Sequence, residues 1–174
     1  MKTPEPRDTY ELIGHKQNER FILKAWEKDK IPHALLLSGP KGVGKATFAF
    51  RVARFLLNNG GFDQNSQNGL DFGQQIIDET LAVPRENIVS RQVVNNAHPN
   101  LLVIQRSENS QTKKIRSEIV IDDLKPLKSF LNLKASDGRW RVVIIDTIDD
   151  MNPNSANAIL KILEEPPRKV IFML

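Results

Sequence analysis

Residues 34–57, ALLLSGPKGVGKATFAFRVARFLL, decide the fold of this chain. A short apolar run at 34–38 predicts a buried strand, and the glycine-rich turn at 39–45 follows it at once. The next segment has an apolar face at the spacing i, i+3, i+4 and i+7, formed by Ala49, Val52, Ala53 and Leu56. That spacing predicts a helix laid on a sheet, so the order is strand, glycine loop, helix.

The turn matches the first seven positions of the phosphate-binding motif G-x-x-x-x-G-K-[ST], in the strand-to-helix context that the motif requires. Its glycines allow backbone N–H groups to converge on phosphate oxygens, and Lys45 adds a positive charge. We therefore predict that ATP or ADP binds here. The predicted phosphate-loop residues are Gly39, Pro40, Lys41, Gly42, Val43, Gly44, Lys45, Ala46 and Thr47.

The eighth motif position holds Ala46, where a hydroxyl would ligate magnesium. Thr47 comes one residue late, and one residue along a helix turns a side chain by about 100°. Magnesium thus loses one protein ligand. We expect nucleotide binding to depend only weakly on magnesium.

The apolar run at 140–146, WRVVIID, predicts a buried strand that ends in Asp146. An acid at the carboxyl end of such a strand is typical of a Walker B element, which holds magnesium through its waters. The next residue is Thr147, which cannot act as a general base near neutral pH. Asp149 and Asp150 follow, and we expect them to face solvent or cap the next helix. We assign no catalytic residue and no intrinsic ATPase activity.

The rest of the chain alternates strands with helices, which predicts an α/β protein with a mostly parallel sheet flanked by helices. We predict helices at 16–27, at 76–95 with an interruption near Pro84, from Asp122 or Asp123 to 133, and from Asn154 or Ser155 to 163. We predict further strands at 101–105, 118–121 and 169–174. Residues 58–75 are rich in Asn, Gln and Gly, and we expect a flexible loop there.

Composition excludes several classes of protein. The 174 residues are 40% hydrophobic with a formal net charge of +4, which suits one globular domain over 1–174. The absence of cysteine and the three scattered histidines exclude disulfides and Cys-ligated zinc, and we expect no metal site. The chain has no signal peptide or membrane-spanning run, so we expect a cytoplasmic protein without membrane contact. It stops at an apolar strand, KVIFML, so we expect a fragment of a longer protein.

Four blocks carry a resemblance to a known family: IGHKQNERFILKAW, IPHALLLSGPKGVGKATFAFRVARFLL, HPNLLVIQR and RVVIIDTIDDMNPNSANAILKILEEPP. They resemble the clamp-loader AAA+ proteins of bacterial DNA polymerase III, and Ala46 and Thr147 favour the delta-prime subunits over the hydrolysing gamma/tau subunits. The resemblance implies a RecA-like AAA+ P-loop NTPase domain, cut before its lid and collar. It also implies a stationary subunit that helps load the sliding clamp onto primed DNA, with gamma/tau and delta subunits as partners.

The resemblance also has departures. The arginine finger of the family would follow KVIFML, beyond the end of this chain, and the four cysteines that bind zinc in many relatives are absent. The resemblance further implies that residues 12–15 and 32–33 lie close to the adenine.

Alternatives remain open at this point. The first is an active, gamma/tau-like ATPase in which Asp149 or Asp150 supplies the acid and Thr47 rescues magnesium. The second is a small-molecule kinase, although no acceptor site is recognisable. Residues 106–141 contain nine Lys or Arg against five Asp or Glu, which would suit contact with DNA phosphates. The helix at 154–163, with Glu164 and Glu165 after it, would suit a contact with another subunit.

Overall fold

A computed structural model describes residues 5–60, 80–132 and 139–174. Within them the helices are α1 (Lys16–Glu27), α2 (Lys45–Asn59), α3 (Ile88–Val94), α4 (Lys125–Asn132) and α5 (Pro153–Glu164). The strands are β1 (Ala34–Leu35), β2 (Leu101–Gln105), β3 (Arg141–Asp146) and β4 (Val170–Met173). Short 3-10 turns occupy Pro6–Asp8, Ile121–Leu124 and Ile148–Asp150. None of the described helices is both long enough and apolar enough to span a membrane.

The four strands form one sheet in the order β1-β4-β3-β2, and every pair is parallel. β3 lies in the middle, with Ile144 opposite Val103 of β2 and Met173 of β4. The crossover connections carry helices, as parallel pairing requires. The predicted fold class, an α/β domain with a parallel sheet flanked by helices, is confirmed.

Each face of the sheet carries its own apolar core. Val142 and Ile144 of β3 pack with side chains of α1 and α2, whereas Val143 and Ile145 pack with side chains of α4 and α5. Successive side chains of a strand point to opposite faces, so one uninterrupted apolar run supplies both cores. This explains why β3 and β4 lack polar alternation.

The predicted strand at 34–38 is shorter and less buried than expected. Only Ala34–Leu35 pair as a strand, although the Leu37 N–H still donates to the Leu174 carbonyl at 2.8 Å. β1 lies at the edge of the described sheet, and the side chain of Leu36 is 70% exposed. An apolar run therefore did not distinguish an edge strand from a central one.

The helix predicted at 76–95 is wrong over 80–87, and its first residues, 76–79, lie outside the described part of the chain. Helix α3 covers only Ile88–Val94, and 80–87 is not helical. The side chain of Asn87 caps α3 by accepting the Val89 N–H at 2.8 Å. An Asn N-cap marks the start of a helix. The cap at Asn87 therefore predicts the start of α3 better than the apolar residues before Pro84 do.

The strand predicted at 118–121 is also wrong. Ile119 makes a single bridge to Met151, and the chain then turns through Ile121–Leu124 into α4. Asp123 does not cap α4, because its carboxylate accepts the Val120 N–H at 2.9 Å at the start of that turn.

The start of α5 differs from both predicted caps. Asn152 caps the helix by accepting the Ser155 N–H at 2.9 Å, and Pro153 takes the first helical position. Proline suits that position because it needs no N–H partner there.

The loop predicted at 58–75 begins later than expected, because α2 continues to Asn59. Its remaining part, from 61 onwards, lies outside the described residues.

Candidate nucleotide-binding site

The glycine loop at 39–45 joins β1 to α2 and takes a backbone path that only glycine adopts easily. Gly42 has φ 87° and Gly44 has φ 97°, both in the left-handed region. A Cβ on Gly44 would lie 3.0 Å from the Leu12 side chain. Gly44 is also the N-cap of α2, so the loop leads directly into the N-terminus of a fifteen-residue helix, whose first amides have no partner within the helix.

Lys45 reaches back over the loop that precedes it. Its ammonium donates to the carbonyls of Gly39 at 2.7 Å and Pro40 at 3.1 Å. A cation at this position, next to a helix N-terminus, attracts anions through both its charge and the helix dipole.

The segment before α1 contacts the loop directly. The His15 ring nitrogen Nε2 lies 2.8 Å from the Val43 carbonyl, and the ring stacks on Phe48 with centroids 6.0 Å apart. His33, in contrast, has an exposed side chain and takes part in the sheet through its carbonyl, which accepts the Phe172 N–H at 2.8 Å. Proximity of 12–15 and 32–33 to adenine stays a prediction.

A small open cleft, with a cavity volume of about 50 Å³, lies where the carboxyl ends of the strands meet the start of α2. The residues predicted from the two motifs come together here: Lys45, Ala46, Asp146 and Thr147 all line it. Leu37, Ala49 and Ile144 form part of its apolar floor. Parallel strands place their carboxyl ends at one edge of the sheet, so two motifs a hundred residues apart face one cleft.

The chemistry of this cleft fits phosphate better than it fits a fully ligated magnesium ion. The Ala46 methyl lines the wall, while Thr47, rotated away on α2, does not line the cleft. Asp146 remains as a carboxylate, and Thr147 follows it. The residues present would therefore suit a phosphate group, with Lys45 as the nearby cation, better than a fully ligated magnesium ion.

Asp149 and Asp150 separate in the structure. Asp149 is exposed, as expected, and it also lines the cleft. Asp150 instead pairs with Arg106 at 3.2 Å, and neither residue caps α5. The 3-10 turn Ile148–Asp150 causes this separation, because it returns Asp149 to the end of β3.

Two arginines of α2, the buried Arg54 and the half-buried Arg51, tie the N-terminal segment to the site, and the sequence analysis missed them. Arg54, 1% exposed, donates to the carbonyls of Arg7 at 3.0 Å and Thr9 at 2.9 Å. Burial lowers the pKa of Arg54. Arg51 donates to the Tyr10 carbonyl at 2.6 Å and pairs with the buried Glu19. The sequence feature that could have predicted these contacts is the presence of two arginines within the otherwise apolar run FAFRVARFLL.

A parallel sheet flanked by helices, with a glycine loop after its first strand and an acid at the end of β3, defines a P-loop domain of the AAA+ clamp-loader type. A family model described as "DNA polymerase III, delta subunit" matches residues 14–174. The chain belongs to this family.

Curated relatives point to the same protein complex. DNA polymerase III subunit gamma of Buchnera aphidicola subsp. Acyrthosiphon pisum is 29% identical over 171 residues, covering 97% of this chain and 40% of the relative. DNA polymerase III subunit tau of Escherichia coli K12 is 27% identical over 169 residues, covering 97% and 22% respectively. Subunit tau of Bacillus subtilis is 23% identical, covering 97% and 25%. The chain thus spans well under half the length of these relatives.

Proposed function

We propose that this chain is the nucleotide-binding domain of a delta-prime-type subunit of the DNA polymerase III clamp loader, and that it does not hydrolyse ATP. The carrying observation is that Ala46 and Thr147 line one cleft with Lys45 and Asp146. In a hydrolytic site, the residue at position 46 would ligate magnesium and the residue at position 147 would activate water. The Ala46 side chain cannot ligate a metal, and the Thr147 side chain cannot act as a general base. Two defects in one site favour a binding role over catalysis.

The nucleotide, ATP or ADP, would be held by Lys45, by the loop amides of Gly42 and Gly44 and by the N-terminus of α2. The polyphosphate supplies negative charge that the ammonium and the helix dipole stabilise. Because Ala46 supplies no ligand, Asp146 would be the one residue of the two motifs that faces the metal, so we expect weak magnesium dependence.

The partners follow from the family. We propose that the protein works in the cytoplasm with gamma/tau and delta subunits, and through them with the sliding clamp and primed DNA. The family match and the gamma and tau relatives support this proposal.

A gamma/tau-like active ATPase is the second candidate, and one observation favours it. Asp149 lines the cleft with Asp146, so a second carboxylate is available near the site of magnesium. The side chains of Ala46 and Thr147 weigh against it, because neither can replace the group that hydrolysis requires at its position.

Calorimetric titration of ATP, once with magnesium and once with EDTA, tests the proposal. Similar affinity under both conditions, without release of inorganic phosphate, would support the non-hydrolysing domain. Tight binding that requires magnesium, accompanied by turnover, would establish the active ATPase instead. Binding of purified delta and gamma/tau subunits, measured by size-exclusion chromatography, tests the partners separately.

A further inference from the structure

The 3-10 turn Ile148–Asp150, between β3 and α5, is held in place by backbone hydrogen bonds. The Asp150 N–H donates to the Thr147 carbonyl at 3.1 Å and closes the turn on itself. The Asp150 carbonyl accepts the Ile119 N–H at 2.6 Å, which fixes the turn to the segment before α4. These bonds do not depend on side chains, and they hold Asp149 at the end of β3.

The two acids of this turn have different surroundings. Asp150 pairs with Arg106 at 3.2 Å and does not line the cleft. Asp149 lines the cleft, and no Lys, Arg or His nitrogen of the described residues lies within 4.0 Å of its carboxylate. The charge of Asp149 is therefore not neutralised by an ion pair, and it acts on whatever the cleft holds.

The charged side chains of the cleft are more negative than positive. They are Lys45, Asp146 and Asp149. The Lys45 ammonium donates to the carbonyls of Gly39 and Pro40, and neither it nor Asp146 forms an ion pair within the described parts of the chain. The cleft thus has one cation on the side of the glycine loop and two separate carboxylates on the side of β3.

This separation of charge bears on the phosphates of a nucleotide. In P-loop domains the lysine of the loop reaches the β- and γ-phosphates, and the acid at the end of the Walker B strand faces the metal that bridges them. The γ-phosphate would therefore lie between Lys45 and the end of β3. Because Ala46 cannot ligate magnesium, the charges of Asp146 and Asp149 stay poorly screened by metal and would repel that phosphate.

We propose that Asp149 selects nucleotides by the length of their phosphate chain, so that without magnesium the cleft binds a nucleoside diphosphate more tightly than the triphosphate. The inference rests on the proposed function, because it requires that this cleft bind a nucleotide. ADP lacks the terminal phosphate, whose charge would lie nearest to Asp149. Two like charges a few ångströms apart at the dielectric constant of water repel each other enough for a preference of about fivefold.

Calorimetric titrations of ADP and of ATP, both in EDTA, test the inference, with the ratio of the two dissociation constants as the readout. The wild type should bind ADP about fivefold more tightly than ATP. Asp149→Asn removes the charge and keeps the size of the side chain, so it should tighten ATP binding, change ADP binding much less and abolish the preference. Asp149→Glu keeps the charge and should keep the preference.

Asp150→Asn is the matched control, because it removes the same charge from the same turn at a side chain that does not line the cleft. Its backbone bond to Ile119 is retained, so the turn should keep its position. The preference for ADP should survive in this variant. An equal loss of preference in Asp149→Asn and Asp150→Asn would indicate an effect of net charge alone and would overturn the inference.

The same titrations distinguish failure of this inference from failure of the proposed function. Equal affinity of the wild type for ADP and ATP, or an unchanged ratio in Asp149→Asn, overturns the inference and leaves nucleotide binding established. Absence of binding by either nucleotide overturns both. An Asp149→Asn variant that binds ATP more weakly in magnesium, with its ratio in EDTA unchanged, would assign the carboxylate to the metal and also overturn the inference.

Discussion

His15 and Val43 form a direct link between the start of α1 and the phosphate loop, with Nε2 of the ring 2.8 Å from the Val43 carbonyl. A carbonyl only accepts, so we assign the proton to Nε2. The opposite nitrogen, Nδ1, then accepts from the Asn18 amide at 3.3 Å. His15 thus donates a hydrogen bond to the Val43 carbonyl from the segment that precedes α1. The Leu12 side chain, in the same segment, packs against Gly44.

His15→Ala should weaken ATP binding about fivefold, because the loss of one hydrogen bond of about 1 kcal/mol lets the loop leave its binding conformation. Calorimetry in EDTA measures this affinity. Asn18→Ala, which removes only the second partner of the ring, is the control and should change affinity much less. Equal affinity of His15→Ala and wild type would show that the loop holds its shape without the histidine.

Lys45→Ala should reduce ATP affinity at least tenfold, since a hydrogen bond to a charged group is worth about 1.5–3 kcal/mol. Lys41 lies in the same loop with an exposed side chain and does not line the cleft, so Lys41→Ala is a control of identical charge change. The same calorimetric titration compares them. A larger effect at Lys41 would contradict the assignment of Lys45 to the phosphates.

A46T/T147E should increase the magnesium dependence of ATP binding more than it increases hydrolysis. The variant restores a hydroxyl ligand and an acid, but an arginine from a neighbouring subunit would still be missing. Affinities with magnesium and with EDTA, together with release of inorganic phosphate, measure the two effects. Each single substitution is the control for the other. Rapid turnover by the isolated double variant would refute this expectation.

Arg54→Leu should destabilise the fold by about 2–4 kcal/mol, because the half-buried carbonyls of Arg7 and Thr9 lose their donor. Urea unfolding followed by circular dichroism measures the change. Arg85 also lies over the Tyr10 ring, at 4.7 Å, but its side chain is exposed. Arg85→Leu is therefore the control, with an expected cost below about 1 kcal/mol. Equal costs would mean that the carbonyl hydrogen bonds of Arg54 contribute little.

His98 should make the fold less stable in mild acid. Burial, and then the charge of Arg139, lower the pKa of His98, whose Nδ1 accepts the Asn100 N–H at 3.1 Å. The folded state therefore binds fewer protons than the unfolded state. The stabilisation is complete above the unfolded pKa of about 6.5 and is lost as the pH falls below it.

Melting temperatures measured from about pH 7.5 to about pH 5.5 test this sign around the unfolded pKa. His98→Asn keeps an acceptor in place of Nδ1 without a titrating ring. The melting temperature of the wild type should fall relative to this variant as the pH decreases. A constant difference across the range would show that His98 does not titrate with unfolding.

Much of the fold was accessible from local patterns. The glycine loop between an apolar run and an amphipathic helix, and the apolar run that ends in Asp146, predicted a parallel α/β domain with both motifs at one edge. These predictions succeeded because they depend on backbone geometry and on burial of β3 from both sides. Local patterns did not identify the N-cap of α5. Asn152 and Asn154 carry identical side chains and differ only in their position relative to Pro153.

By itself, the sequence determined the class of fold, the place of the glycine loop between β1 and α2, and the two side chains, Ala46 and Thr147, on which the predicted lack of hydrolysis rests. Tertiary structure alone decided that Asp149 returns to the cleft, that Arg54 and Arg51 hold the N-terminal segment and that His15 holds Val43. These contacts join residues far apart in the chain. Most of the partners are backbone carbonyls, which every residue carries. No pattern of residue types in the sequence therefore predicts these contacts.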